Sequence, residues 1–329
     1  MMRNWILGLV AVLVVGVVGC GSKDEATTAE NKSTSTESPK VEKPLVLFAQ
    51  ANSQDPWRQV FDRDTKDAAA KHSADFDFEM QEAGGDSVKQ MSQIETFIVK
   101  KPKVLLVSAN DESVQPAVEK AFDAGIAVIL LDRSVPGDKW TAYVGGDNVE
   151  IGRQAGEFMA TKMGQKGTIL MIQGIAAAAP TRERAGGFLE VMKKYPGITV
   201  ISGDDCGYER QKAQTYMERF LQSKRPFDAV YAHNDEMAIG AVMAMEAAQA
   251  PKKTVVGIDA CQVEVVDMIK AGRMDATFKY PQPGPPAIEM AAEILKGNMP
   301  KEKRTILPTE IVTVENADDF LKANPNLAK

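Results

Sequence analysis

The chain has 329 residues, more than one hydrophobic core comfortably supports, and its 44% hydrophobic content is enough to fill two. Its 39 basic and 45 acidic side chains leave a formal charge of −6 with no dense Lys/Arg cluster, which argues against a nucleic-acid partner. With two histidines and no Gly-x-Ser-x-Gly, P-loop, His-Glu-x-x-His or Cys-x-x-Cys motif, the sequence offers little for a metal centre, a cofactor or His-based catalysis, and it does not read as an enzyme.

Residues 1–20 form a unit of their own: Arg3, an uncharged stretch from Trp5 to Gly19, then Cys20. As a helix that stretch spans about 22 Å, short of the roughly 30 Å hydrocarbon core, so a signal peptide fits better than a membrane span. Val17-Val-Gly-Cys20 resembles the bacterial lipobox, which implies acylation of Cys20 and a lipid anchor on the membrane. Residues 21–43, rich in Ser, Thr, Glu and Lys, have almost nothing to bury and read as a disordered tether reaching on the order of 25 Å.

From Pro44 strand and helix alternate. Leu45–Ala51 reads as a strand, Pro56–His72 as a helix with Pro in its first turn, and Phe76–Gln81 as the next strand. A helix over 86–100 follows, then strands 103–108 and 126–131 around a helix at 112–124. A second series starts after Gly145-Gly146: helix 148–163, strand 167–173, helix 181–194, strand 198–203, helix 208–223, strand 228–233, helix 235–249, strand 253–258, helix 262–271 and strand 275–280. Tyr280-Pro-Gln-Pro-Gly-Pro-Pro286 breaks the series as a stiff, irregular connection, before a helix at 287–296 and a closing strand at 305–313. Repeated βα units of this length imply α/β lobes with mostly parallel sheets. Several buried-strand runs stop at polar groups, namely Ser108, Asp132-Arg133, Gln173, Asn234 and Asp259. In open parallel sheets ligands sit just beyond such strand ends.

Asp132-Arg133-Ser134, Val144-Gly-Gly-Asp-Asn148 with Gly152-Arg153, Thr181-Arg-Glu-Arg184 with Gly187-Phe188, Asn234-Asp-Glu-Met-Ala-Ile-Gly240 and Val256-Gly-Ile-Asp259 resemble the ribose-type sugar-binding proteins of ABC importers, in order and at matching spacing from residue 44 to about 300. The opening Phe48-Ala-Gln50 and Trp57-Arg58 depart from the ribose binders and are closer to the galactofuranose-binding branch. The resemblance implies two Rossmann-like lobes, 44–146 plus 282–304 and 147–281 plus 305–329, joined by a three-crossing hinge near 146, 281 and 305, the type I periplasmic binding protein fold. It implies a monosaccharide as ligand, an ABC permease as partner and an extracytoplasmic location. The same site would serve a sensory binder that partners a chemoreceptor or sensor kinase.

A buried sugar needs every hydroxyl paired, and ionised Asp with forked Arg can satisfy adjacent hydroxyls together. By the resemblance Asp132, Arg133, Arg182, Asn234 and Asp259 face the cleft, Trp57 and Tyr208 stack on the sugar ring, and Arg58 adds donors. Tyr280 stands near a position where ribose binders carry Gln, and hinge packing is its other reading. Gln50 and Ser108 are secondary contacts. Asp132 and Asp259 have helix capping as an alternative, and of Arg182 and Arg184 one faces solvent, with Arg182 taken as the ligand-facing one. If the second lobe has the family's 2-1-3-4-5 strand order, Cys206 and Cys261 follow strands about 14 Å apart, beyond the roughly 7 Å that a disulfide allows, and stay free unless a loop brings them together.

Overall fold

The computed structural model describes residues 42–329; the leader, Cys20 and the tether as far as residue 41 lie outside them. In the first half, strands β1 (Leu45–Gln50), β2 (Asp77–Glu82), β3 (Val104–Ser108), β4 (Ala127–Leu131) and β5 (Ala142–Gly146) alternate with helices α1 (Pro56–Lys71), α2 (Ser87–Val99) and α3 (Gln115–Asp123). In the second, α4 (Asn148–Lys162), α5 (Ala179–Met192), α6 (Arg210–Gln222), α7 (Asp235–Ala247) and α8 (Val263–Lys270) alternate with β6 (Gly167–Gln173), β7 (Ile198–Asp205), β8 (Ala229–Ala232), β9 (Thr254–Asp259) and β10 (Ala276–Lys279). The chain then returns through α9 (Gly284–Leu295) and β11 (Arg304–Leu307) and ends with β12 (Ile311–Val312) and α10 (Ala317–Ala323). Among the described residues no helix is long and apolar enough to cross a membrane.

Two six-stranded sheets result, in the orders β2-β1-β3-β4-β5-β11 and β7-β6-β8-β9-β10-β12, every pairing parallel except β10 with β12. These are the two Rossmann-like lobes expected from the βα repeats. Residues 43–329 form one unit, and an apolar cluster runs from Val46, Phe48 and Phe61 in the first lobe through Trp57 and Tyr280 to Phe188 and Phe278 in the second. The inner strands β3, β4 and β8 are buried on both faces, as their unbroken apolar runs require.

Three features differ from the sequence reading. The closing strand is two: β11 pairs with β5 in the first sheet and β12 with β10 in the second, so residues 305–307 belong to the first lobe and the third crossing falls at 308–310. Pro308 has no N–H with which to continue a ladder, which ends β11 there. The proline-rich stretch is not wholly irregular, because α9 begins at Gly284 and takes prolines into its first turn, where a missing N–H costs nothing. Strand β5 was hidden by its glycines, and α10 by its short, charged sequence. Cys206 and Cys261 are free and buried, as the strand order implied.

Helices α4 and α5 touch backbone to backbone at Gly152 and Gly187: a methyl group on either would meet the carbonyl oxygen of Arg184 or Val149. Neither backbone can yield without moving the helix that carries Arg184. Gly187→Ala should therefore cost about 1–3 kcal/mol by overpacking and lower the urea midpoint without altering the slope; an unchanged midpoint would show that the helices separate freely.

Candidate ligand-binding cleft

The cleft is built from strand ends held in backbone conformations that non-glycine residues rarely adopt. Asp132, just past β4, has φ of 63°, Asp259 and Ala260 at the end of β9 have 131° and 50°, and Tyr208, before α6, has 66°. Each such residue costs about 1–3 kcal/mol, and persists only where its surroundings over-determine it. Beneath β9 the buried Asp235 does this, accepting hydrogen bonds from the Ala260 N–H (2.7 Å) and the Thr277 hydroxyl (2.6 Å). The Asp132 N–H is taken by the Val144 carbonyl (3.0 Å) and the Arg133 N–H by that of Leu131 (2.6 Å).

Between the lobes lies about 360 Å³ of atom-free space. The first lobe contributes Asp55, Trp57, Arg58, Asp132 and Arg133; the second contributes Pro180, Arg184, Tyr208, Asn234 and Asp259, and Tyr280 closes the hinge side. Three carboxylates thus face three guanidinium groups. Burial pushes the Asp55 carboxyl up against the pull of Arg58, and burial likewise pushes Asp259 well up, with Arg184 opposing. Burial, then the charge of Arg58, lowers Arg133.

Arg58 is fixed on three sides: one nitrogen donates to Gln50 Oε1 (3.0 Å) and Ser108 Oγ (2.6 Å), the other to Asp132 Oδ2 (2.6 Å). Gln50 in turn donates to Asp62 Oδ1 (2.5 Å). Gln50 and Ser108 were expected to touch ligand, but both are fully buried behind Arg58 and hold it, so they do not line the cavity. Arg133 donates to the Asn110 carbonyl (2.6 Å), and its guanidinium lies 5.7 Å from the Tyr208 ring across the cleft.

Arg182 does not face the cavity. Its side chain is 48% exposed and pairs with Glu112 of the other lobe, while Arg184, two residues on, lines the space. Helical geometry separates them: positions two apart point about 200° away from each other, and Arg184 is on the face packed against α4. It donates to Asn148 Oδ1 (2.9 Å) and to the His233 carbonyl, with Asp259 Oδ1 3.9 Å away. His233 itself is off the cavity, and burial, then Arg184, lowers its imidazole to about 3, leaving it neutral.

The aromatic walls are anchored by their polar ends. Trp57 Nε1 donates to the Tyr280 carbonyl (3.1 Å), and the two rings meet edge to face at 5.4 Å. The Tyr280 hydroxyl accepts from Gly146 N–H (3.2 Å) and donates to the Asp132 carbonyl (3.3 Å), so both expected readings of Tyr280, cleft wall and hinge packing, describe its position. Tyr208 pairs with Thr181 Oγ1 (2.7 Å), and a methyl group at Gly174 would strike its ring. Asn234 caps α7 through Met237 N–H (2.9 Å) and donates to the Tyr208 carbonyl (3.2 Å), while also lining the space. The sequence reading missed Asp55 and Pro180. Asp55 was legible as the N-cap before Pro56, since its carboxylate accepts from Arg58 N–H (2.8 Å).

Two parallel α/β lobes with a polar cleft at facing strand ends, crossed three times by the chain, define a hinged solute-binding protein. The chain belongs to the periplasmic binding protein family, whose domain profile, "Periplasmic binding protein domain", matches residues 46–299. It is 32% identical to the ribose import binding protein of Haemophilus influenzae over 244 residues, 72% of this chain and 82% of that one. It is 26% identical to the galactofuranose-binding protein of Escherichia coli over 300 residues, 86% and 92% of the two chains. Among solved structures, the fructose-binding periplasmic domain of a hybrid two-component system superposes with a TM-score of 0.81 at 34% identity, covering 86% of this chain and 94% of that one. These relatives are solute-binding proteins rather than enzymes.

Burial drives the Asp235 carboxyl up to about 7 despite its hydrogen bonds from Thr277 and Ala260. The native state then holds a proton that the unfolded chain releases near pH 4, so ionising Asp235 costs stability as pH climbs from about 4 to 7. Asp235→Asn cannot ionise, and the Thr277 hydroxyl can turn to accept from the new amide. Urea unfolding should show the variant gaining on the native chain across that window; parallel pH profiles would contradict the assignment.

Proposed function

We propose that this chain is an extracytoplasmic lipoprotein that captures a neutral monosaccharide in its cleft and delivers it to an ABC import permease. The observation that carries the reading is the equal number of carboxylates and guanidiniums around one small cavity between aromatic faces. Acidic and basic groups in equal number give no one-signed wall to select an ion, while their many oriented acceptors and donors match a polyol's hydroxyls. The rings of Trp57, Tyr208 and Tyr280 offer apolar contact to the C–H faces of a sugar. The ribose and galactofuranose binders among its relatives support the ligand class. The Trp57-Arg58 pair favours a furanose or related aldose. The lobes close because the ligand touches both, shifting an open–closed equilibrium by its differential affinity. The cleft performs no chemistry on the sugar. Lipidation at Cys20 and the tether over 21–43 would hold the body near the permease, since two or more acyl chains anchor firmly.

A second reading is a sensory binder that signals to a receptor kinase or chemoreceptor, favoured by the likeness to the periplasmic domain of a two-component system. Both readings share the site and differ in the partner.

Thermal-shift screening of residues 42–329 against pentoses, hexoses and uronic acids should reveal a neutral sugar that raises the melting temperature by about 5–10 °C at one hundred times its dissociation constant. Arg133→Ala and Asp259→Ala should each abolish that rise while the unliganded protein still folds. A full rise in both variants, or no response to any sugar, would overturn the reading.

A further inference from the structure

Arg182 and Glu112 form an ion pair that joins the lobes outside the cavity, with side chains 48% and 38% exposed. We propose that this pair is a latch across the mouth of the cleft, which favours the closed form and so tightens binding without touching the ligand. Each partner stands on a braced shelf. Glu112 opens the short 3₁₀ turn Glu112–Val114, which Asp111 caps through Ser113 N–H (2.8 Å). Asp111 is itself held by the Ser87 hydroxyl (2.8 Å), and the preceding Asn110 gives its carbonyl to Arg133, which lines the cavity. On the other side Arg182 follows Pro180 and precedes Arg184, both of them lining residues, in the first turn of α5. The latch therefore ties the segment that holds Arg133, through the Asn110 carbonyl, to the helix that carries Arg184.

The pair is solvent-exposed, so opening the cleft hydrates both charges at small cost, and closure gains only the modest attraction of a surface pair. That is enough to shift the closed-to-open ratio about two- to fivefold, and the apparent affinity follows the resulting change in the closed fraction. Arg182 and Glu112 are positioning residues, acting through the angle between the lobes. This inference rests on the hinged reading above, but its test needs no sugar.

Spin labels at Val88→Cys on α2 and Glu218→Cys on α6, both exposed sites in different lobes, would report the lobe separation in residues 42–329 by double electron–electron resonance; native Cys206 and Cys261 are buried. The native pair, Glu112→Lys, Arg182→Glu and the double swap should be compared. The ratio of closed to open distances should fall two- to fivefold in each single variant, recover in the swap, and fall in the native pair at about 1 M salt, where the Debye length is about 3 Å. Superimposable distributions in all four forms, a swap that fails to recover, or a native chain with no closed population would overturn the latch. A sugar screen without hits leaves this result readable, and a failed latch leaves the sugar reading intact.

Discussion

Three buried guanidinium groups between two lobes must be satisfied before any ligand arrives. Arg58, Arg133 and Arg184 are each at most 5% exposed, and an unpaired charge at such depth would cost several kcal/mol. Each therefore holds protein acceptors: Asp132, Gln50 and Ser108 for Arg58, the Asn110 carbonyl for Arg133, and Asn148 with the His233 carbonyl for Arg184. Satisfying the arginines fixes their direction, and what remains of their donors and of the three cavity carboxylates points at one small space. The strained turns at Asp132 and Asp259 follow from the same demand, because a carboxylate must leave its strand at an unusual angle to reach the cleft.

The hinge shares this chemistry. Tyr280 gives its ring to the cavity and its hydroxyl to the first crossing at Gly146, where any side chain would strike that ring. Trp57 hangs from the Tyr280 carbonyl, and the Arg184 guanidinium sits 4.9 Å from the Tyr280 ring. In the proposed function, a ligand pressing on these rings would act on the same residues that join the lobes, a physical route from occupancy to closure. The apolar cluster that continues from one lobe to the other through Trp57 and Tyr280 makes this junction part of the core.

The alternation of buried strands and helices is legible in the sequence because apolar runs such as Val104–Ser108 and Ala127–Leu131 have a single use, and the polar groups Asp132, Arg133, Asn234 and Asp259 that close three of the runs line the cleft. What misled is where neighbours in sequence diverge in space. Arg182 and Arg184 carry the same chemistry two residues apart, and only the packing of α5 on α4 decides which one turns inward. Gln50 and Ser108 lie at strand ends like the true lining residues, but the length of Arg58 fills the space above them. The split between β11 and β12 is a choice of partner strand, which no local pattern encodes beyond the proline that separates them.

In the proposed function, preset arginines and carboxylates form the binding surface for a neutral sugar. The most direct measurement is a crystal structure of residues 42–329 with the sugar that stabilises the protein most. The sugar should lie between the lobes, its hydroxyls within hydrogen-bonding distance of Asp132, Arg133, Arg184 and Asp259, with Arg58 still bonded to Asp132. A sugar bound elsewhere, or one seated in the cleft without contact to those groups, would contradict it.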